Sequence, residues 1–182
     1  MRPSDASAHE ELGSLYLHYG FVEEAGRELQ TSLSLNPRDG CDAPERCIGF
    51  SRPRLARAFW YRQRFDSAIA LYRSLPFIGG YVTEYAAVLN AVGRRAEGLA
   101  LLDSTRVSGT FDSSDREATR ALIYAALGNR TAALVHIAKA IARQTSRSHF
   151  HHAQFTIACA YARLGMKAEA VDWLKKTSEN GM

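Results

Sequence analysis

Apolar residues recur along this chain with the spacing of amphipathic helices, in segments that come in pairs on either side of a short turn. Each turn has glycine or a polar residue at its centre. These turn residues are Gly20, Gln63, Gly93, Gly128 and Gly165. Successive turn residues lie 43, 30, 35 and 37 positions apart. Helix-turn-helix units that return at this period predict an all-α array of stacked helix pairs.

The pattern predicts two helices in each of five repeats. The first helix of each pair is expected over 8–18, 54–61, 83–92, 115–127 and 152–164. The second is expected over 22–35, 65–75, 96–104, 130–144 and 167–178. The repeats then span about 6–39, 49–78, 79–113, 114–150 and 151–182, with an inserted loop at 40–48, and together form one domain over 1–182.

Two columns of small residues recur at fixed distances from the turn residue. Seven positions before it stand Gly13, Ala56, Ala86, Ala121 and Ala158, and five positions after it stand Ala25, Ala68, Gly98, Ala133 and Ala170. Small side chains let antiparallel helices approach closely, while larger neighbours fill the remaining space. The larger residues are Tyr16, Phe59, Leu89, Tyr124 and Tyr161 on the first helices, and Leu29, Tyr72, Leu102, Ile137 and Leu174 on the second helices.

These residues resemble the tetratricopeptide repeat family. The first copy has Leu12, Gly13, Tyr16, Ala25, Leu29 and Pro37 at the family's characteristic positions. The fourth and fifth copies also match well, whereas the second has Gln63 at its turn and the third has Leu89 and Gly98 in place of the usual residues. The resemblance implies a right-handed α–α superhelix that binds a protein or peptide in a concave groove and does no catalysis.

The resemblance also implies which residues line the groove, because the first helix of each pair faces it. The groove residues expected here are Leu17, Arg57, Trp60, Tyr61, Asn90, Phe155 and Arg163, with Thr83, Ala87, Leu122 and Cys159 beside them. The family's clamp for C-terminal carboxylates needs lysines that these positions lack. Aromatics and arginines instead suit a partner with apolar anchors and an acidic group. In the alternative interpretation, Trp60 and Phe155 pack against neighbouring repeats.

Two other functions stay open at this stage. The segment from His151 to Leu174 is similar to repeat regions at the C-terminal end of bacterial signalling proteins, which implies a regulatory role. Repeat two is rich in arginine, with Arg46, Arg52, Arg54, Arg57, Arg62, Arg64 and Arg73. Such residues can bind phosphates, but helical spacing spreads them over several faces and favours a solvated surface over a nucleic-acid site.

Composition narrows the function without identifying the partner. The net charge is +4, only three cysteines are present, and no apolar run approaches the length of a membrane span. We therefore expect a cytoplasmic protein without a disulfide framework. Motifs for phosphate loops, zinc proteases and serine hydrolases are absent from the sequence, so we expect neither an enzyme nor a cofactor. Cys41 and Cys47 are too widely spaced for a usual zinc knuckle, and their loop is expected at the surface.

The last predicted helix keeps apolar residues at Val171, Trp173 and Leu174. Terminal repeats of a stacked array normally have a polar outer face, because nothing packs against them. We therefore expect this face to be covered by a further segment, by another protein, or by a second copy of the chain. The third alternative predicts self-association through the C-terminal repeat.

Overall fold

The computed structural model describes residues 5–39, 50–75, 79–104, 111–143 and 150–180. These residues form ten α-helices and a 3-10 turn at Gly79–Tyr81, with no strand among them, so the predicted all-α class is confirmed. The helices are α1 (Ala6–His18), α2 (Val22–Leu35), α3 (Ser51–Tyr61), α4 (Phe65–Arg73), α5 (Val82–Ala91), α6 (Arg95–Ser104), α7 (Phe111–Ala126), α8 (Arg130–Ala142), α9 (Phe150–Arg163) and α10 (Lys167–Asn180).

All five predicted turn residues adopt the left-handed conformation. The φ angles are 81° at Gly20, 57° at Gln63, 82° at Gly93, 74° at Gly128 and 75° at Gly165. In each turn the N–H of this residue donates to the carbonyl three positions earlier, and the next N–H donates to the carbonyl five positions earlier, with N···O distances of 2.8–3.2 Å. This is the Schellman motif, which ends a helix by satisfying its last carbonyls. The same local geometry therefore closes the first helix of every repeat.

Helix α3 begins in a way that the sequence pattern did not indicate. Ser51 looks like an N-cap residue because a proline follows two positions later, but it is the first residue of the helix itself. The N-cap position belongs to Phe50, whose side chain accepts no capping hydrogen bond. Asp39 supplies the acceptors instead: its Oδ1 lies 3.1 Å from the Ser51 amide nitrogen, and its Oδ2 lies 2.9 Å from that of Arg52. The cap thus comes from the end of the preceding repeat.

The chain divides into two compact units, one up to Glu84 and one from Tyr85 onward. In the first unit, α1 packs on α2, and α3 packs on α1, α2 and α4. Small residues set the closeness of the first pair. A Cβ atom added at Gly13 would lie 2.6 Å from Cγ of Leu29. Only glycine therefore fits between α1 and α2 at this point without a shift of the Leu29 side chain.

In the second unit, α7 packs on α6, α8 and α9, and α9 packs on α8 and α10. Helices α5 and α6 also meet closely, because a Cβ atom added at Gly98 would lie 3.2 Å from the carbonyl oxygen of Ala86. A continuous core joins α7, α8 and α9 through alanines, isoleucines and one phenylalanine. It contains Ala118, Ala121, Ala125, Ala133, Ile137, Ala140, Phe150, Ala153, Ile157 and Ala160.

The predicted small-residue columns are buried in all five repeats. The large residues of the second helices are also buried in the first four repeats, at Leu29, Tyr72, Leu102 and Ile137. The fifth repeat differs, because Leu174 is 46% exposed. No helix of the described residues follows α10 to pack on this side chain.

Candidate functional site

The first unit contains an arginine–carboxylate–tyrosine cluster formed by α3, α4 and the first turn of α5. Arg57 forms an ion pair with Glu84, in which Nη2 contacts Oε1 and Nε lies 3.3 Å from Oε2. The hydroxyl of Tyr72 donates to Oε2 of Glu84 at 2.9 Å. Arg57 is thus already bound to an acidic group of its own unit. An acidic group of a partner would have to compete with Glu84 for this guanidinium.

The Glu84 carboxylate favours a charged Arg57 and neutral phenol groups on the two tyrosines beside it. Burial opposes the charge on Arg57, but attraction and hydrogen bonding to Glu84 raise its pKa above the ordinary value. Burial and the Glu84 carboxylate also raise the pKa of Tyr72 well above its usual range. For Tyr81, burial and the same carboxylate raise the pKa to about 12. Both phenols therefore stay neutral at any physiological pH.

The other predicted groove residues of the first unit differ in exposure. Tyr61 is 53% exposed at the end of α3, and its ring centroid lies 5.7 Å from that of the half-buried Trp60. Leu17, on α1, is buried. Trp60 and Tyr61 thus lie at the C-terminal end of α3, about one turn after Arg57, and Tyr61 is the more exposed of the two aromatic residues.

In the second unit, the predicted groove residues fall into two groups. Asn90 on α5 is buried, and its Oδ1 has no hydrogen-bond partner among the described residues. Phe155 and Arg163 both lie on the exposed face of α9. The Phe155 ring is 54% exposed, so it does not serve mainly as a core residue.

The exposed face of α9 is continuous and free of acidic side chains. It consists of His152, Phe155, Thr156, Cys159, Ala162 and Arg163. The helix contains no aspartate or glutamate at all. Burial raises the pKa of the Cys159 thiol, and the positive charge of nearby Arg163 partly offsets this rise. The half-buried thiol therefore stays protonated at neutral pH and is a poor nucleophile there.

Arginines of repeat two are largely engaged with other groups of the first unit. Arg54 lies 2.7 Å from Glu10, and Arg62 lies 2.7 Å from Glu23, measured from nitrogen to oxygen. The guanidinium of Arg64 lies 4.7 Å from the centroid of the Phe59 ring. These contacts leave less positive charge available for phosphate than the composition of this repeat suggests. Arg46 lies outside the described residues.

Two histidine–glutamate pairs occupy equivalent positions in repeats one and four. Nδ1 of His9 lies 2.6 Å from Oε2 of Glu28, and Nδ1 of His136 lies 2.6 Å from Oε2 of Glu117. Each pair joins the residue eleven positions before the turn to the residue eight positions after it, with histidine and glutamate exchanged. Both pairs follow from aligning the repeats at these two positions, which belong to neither the small-residue nor the large-residue columns.

Glu117 is the most buried carboxylate of these pairs and has further cationic partners. Arg143 contacts its Oε1 at 2.6 Å, and Arg120 lies 3.6 Å from the same atom. The ring of His136 also stacks on Tyr124 with a centroid distance of 5.2 Å. A buried carboxylate with three basic neighbours fastens α7 to α8.

The outer face of α10 carries exposed apolar side chains at Val171 and Leu174. Trp173 lies toward the core, with its ring centroid 6.4 Å from that of Phe150. Lys176 covers the Trp173 ring at 4.6 Å. Helix α10 therefore partly buries its tryptophan and exposes Val171 and Leu174.

The remaining candidates for chemistry provide no site in the described parts of the chain. Cys41 and Cys47 lie outside the described residues, so the expectation for their loop stays untested. Within the described ranges, no group of three or more His, Cys, Asp or Glu side chains is arranged to hold a metal ion. Nor does any helix in those ranges have the length and apolar character needed to cross a membrane.

Comparison with known proteins supports the resemblance inferred from the repeats. Residues 151–177 match the tetratricopeptide repeat family, and this segment corresponds to the fifth predicted repeat. No curated protein matches the chain in sequence.

Solved structures match nearly the whole chain. TTC0263, a tetratricopeptide repeat protein of Thermus thermophilus, has a TM-score of 0.66 at 20% identity, and the match covers 97% of this chain and 91% of that one. YrrB, described as a tetratricopeptide repeat protein with an unusual peptide-binding site, has a TM-score of 0.55 at 14% identity, covering 98% and 88%. MamA has a TM-score of 0.54 at 18% identity, covering 93% and 94%. The predicted all-α solenoid fold is therefore confirmed.

Proposed function

We propose that this chain, a tetratricopeptide repeat protein, is a non-enzymatic scaffold that binds a protein or peptide partner. The partner would contact the first helices of the repeats, through α3 in the first unit and α9 in the second. The proposed contact residues are Arg57, Trp60, Tyr61, Phe155 and Arg163, whereas Leu17 and Asn90, also expected at the groove, are buried and would not contact a partner directly. Neither a cofactor nor a metal is part of this proposal.

The observation that carries the proposal is the exposure of aromatic rings on helices that the rest of the fold holds firmly. Tyr61 and Phe155 are more than half exposed, yet each helix is closed by a Schellman motif and packed through small residues. Exposed aromatic rings on a preorganised surface contribute strongly to binding, because little conformational entropy is lost when the partner docks.

Affinity capture from a lysate of the native host tests the proposal. The bait proteins would be the wild type and a double variant, Tyr61→Ala with Phe155→Ala, compared by quantitative mass spectrometry. The control is Leu35→Ala with Val135→Ala, which removes two exposed apolar side chains from second helices. We expect at least one captured protein to drop tenfold or more with the first variant and to remain with the control.

Equal losses in both variants would indicate nonspecific apolar adsorption and would contradict the proposal. A partner retained by the first variant and lost with the control would move the function to the second helices. Because all four residues are exposed, their replacement should leave the thermal midpoint of unfolding within a few degrees of the wild type.

Three further expectations belong to the same proposal. We infer that the chain acts as a single domain of five repeats, that it works in the cytoplasm, and that it self-associates through the C-terminal repeat. Support for self-association comes from Val171 and Leu174, which expose aliphatic surface on the outer face of α10. Such surface on the terminal helix of a repeat array lowers solubility unless another molecule covers it.

A further inference from the structure

We infer that the exposed face of α9 recognises an extended peptide that carries an apolar side chain and a carboxylate four residues apart. This inference rests on the proposed function and specifies its partner. Phe155 would contact the apolar side chain, and Arg163 would bind the carboxylate. Cys159 lies between them on the same face, so the bound peptide would cover its thiol.

Charge is the first reason to assign the acidic group to α9. Arg163 is exposed and has no carboxylate partner among the described residues, and its own helix carries no acidic side chain. Arg57, the other arginine of the expected contact set, is already paired with Glu84. A partner carboxylate therefore meets an uncompensated guanidinium at Arg163, whereas at Arg57 it would have to displace an internal ligand.

Spacing is the second reason, because it connects the helix to a particular peptide pattern. Phe155 and Arg163 are eight residues apart on α9, which corresponds to about 12 Å along the helix axis. An extended peptide advances about 3.3 Å per residue, so four residues cover about 13 Å. In an extended chain, residues four positions apart also point to the same side. One peptide can thus place both side chains against α9 without bending.

The residues between Phe155 and Arg163 leave room for the backbone of an extended peptide to lie against α9. Ala162 is small, and Cys159 is half-buried between the two anchor residues. The surface between the aromatic ring and the guanidinium is therefore shallow, and a peptide backbone with small side chains can lie against it. The apolar anchor and the acidic group then supply most of the binding energy, as is typical of small interfaces.

Fluorescence anisotropy with a defined peptide series tests the inference. The probes are fluorescein-labelled peptides of nine residues, each with one leucine and one glutamate in a glycine–serine background, separated by two to six positions and in both orders. We expect the tightest binding at a separation of four. Replacing the glutamate by glutamine should weaken binding about tenfold, corresponding to about 1.4 kcal/mol.

Variants of the full chain identify the surface. Arg163→Glu should weaken the four-residue peptide at least tenfold, Arg163→Lys should retain most of the affinity, and Phe155→Ala should weaken it about fivefold or more. Arg27→Gln, at an exposed arginine of α2 outside the proposed contact residues, is the control and should leave affinity within twofold. The peptide should also slow the alkylation of Cys159 by iodoacetamide, measured site by site with mass spectrometry, because it covers that thiol.

The outcomes separate this inference from the proposed function. If no peptide of the series binds, or if the spacing makes no difference, the inference about α9 is wrong, while capture of a partner through Tyr61 would still support a scaffold. If binding is lost with Arg57→Gln and kept with Arg163→Glu, recognition belongs to the first unit. If neither capture nor peptide binding occurs, both proposals fail.

Discussion

Gln63 occupies a left-handed turn position where the four other repeats have glycine. Its φ of 57° is unfavourable for a residue with a Cβ atom, and its side chain is exposed. Because glycine adopts this conformation without steric strain, Gln63→Gly should raise the free energy of unfolding by about 1 kcal/mol. Urea denaturation followed by circular dichroism measures this change.

Gly128 provides the reverse substitution at the equivalent turn. Nothing lies within 4 Å of a Cβ atom added there, so Gly128→Ala tests backbone strain without a packing clash. We expect a loss of about 1 kcal/mol in the free energy of unfolding. If Gln63→Gly were neutral while Gly128→Ala was destabilising, the strain at Gln63 would have to be relieved by interactions of its own side chain.

Gly13 and Gly26 form a second matched pair, both inside helices of the first unit. Gly13→Ala places a Cβ atom 2.6 Å from Leu29, so it should lower the free energy of unfolding by about 1–3 kcal/mol. Gly26→Ala meets only Nη1 of Arg62, at 4.0 Å, and should instead raise stability by about 0.5–1 kcal/mol through helix propensity. Thermal and urea unfolding of the two variants would give opposite shifts. Shifts of the same sign would contradict the packing described for α1 and α2.

Tyr81 makes the stability of the first unit sensitive to alkaline pH. Burial and the Glu84 carboxylate raise its pKa to about 12, whereas in the unfolded chain a tyrosine titrates near 10. The folded state therefore holds this proton more tightly, and its contribution to stability is full below about pH 10 and is lost as pH rises toward 12. Urea midpoints at pH 8 to 12 should fall over that window. Tyr81→Phe should flatten the fall, and an unchanged pH dependence would mean that other tyrosines cause it.

At the scale of elements, Asp39 fixes the start of α3. Its carboxylate accepts hydrogen bonds from the amides of Ser51 and Arg52, and Ser51 is fully buried. Asp39→Ala would leave a buried N–H without this acceptor, so we expect a loss of about 1–2 kcal/mol in the free energy of unfolding. Asp39→Asn keeps one carbonyl acceptor, and asparagine also tolerates the positive φ of this position. This variant should therefore lose less stability.

Asp5 is the control for this cap, because its Oδ1 also accepts from two amides, at 3.1 and 3.2 Å, but at an exposed helix start. Water can replace those bonds, so Asp5→Ala should lower stability by only about 0.5 kcal/mol. Hydrogen exchange measured by mass spectrometry would locate the effects. Faster exchange in α3 is expected for Asp39→Ala, and an equal effect of both variants would mean that burial does not strengthen the Asp39 cap.

The sequence predicted helix ends best where local chemistry decides them. The second helix of repeat one matches its predicted range of 22–35, and all five predicted turn residues end the first helix of their repeat in the left-handed conformation. Local sequence determines the helix ends at these turns because the left-handed turn residue, glycine in four of the five repeats, lets the turn amides bond to the last carbonyls in a Schellman motif. The start of α3 depends instead on Asp39, twelve residues earlier, and a pattern read over one or two helical turns contains no such information.

The candidate site was predictable in its residue types and much less in their partners. The resemblance to the repeat family implied that Phe155 and Arg163 lie on the groove side of one helix, and the structure has both on the exposed face of α9. The resemblance gave no indication that Arg57 pairs with Glu84, 27 positions away, because that contact depends on how the elements pack. The choice between repeat two and repeat five as the acid-binding site thus requires tertiary structure.

At the scale of the whole molecule, the exposed aliphatic surface of α10 predicts self-association. Val171 and Leu174 lie on the outer face of the last helix, where the first four repeats bury the residue equivalent to Leu174. Burying this surface against a second copy would follow the same hydrophobic driving force that stacks repeats within the chain. Sedimentation velocity over 5–200 μM, as an order-of-magnitude range around the affinity of weak dimers, should show a rising sedimentation coefficient.

The double variant Val171→Glu with Leu174→Glu should remain monomeric over the same range, because dimerisation would then desolvate carboxylates. Leu35→Glu is the control, since Leu35 is similarly exposed at 42% but lies on α2. It should associate like the wild type. A wild type that sediments as a monomer at every concentration, or a control that dissociates as fully as the double variant, would exclude self-association through α10 and leave this face for a further segment of a longer chain or for a different protein.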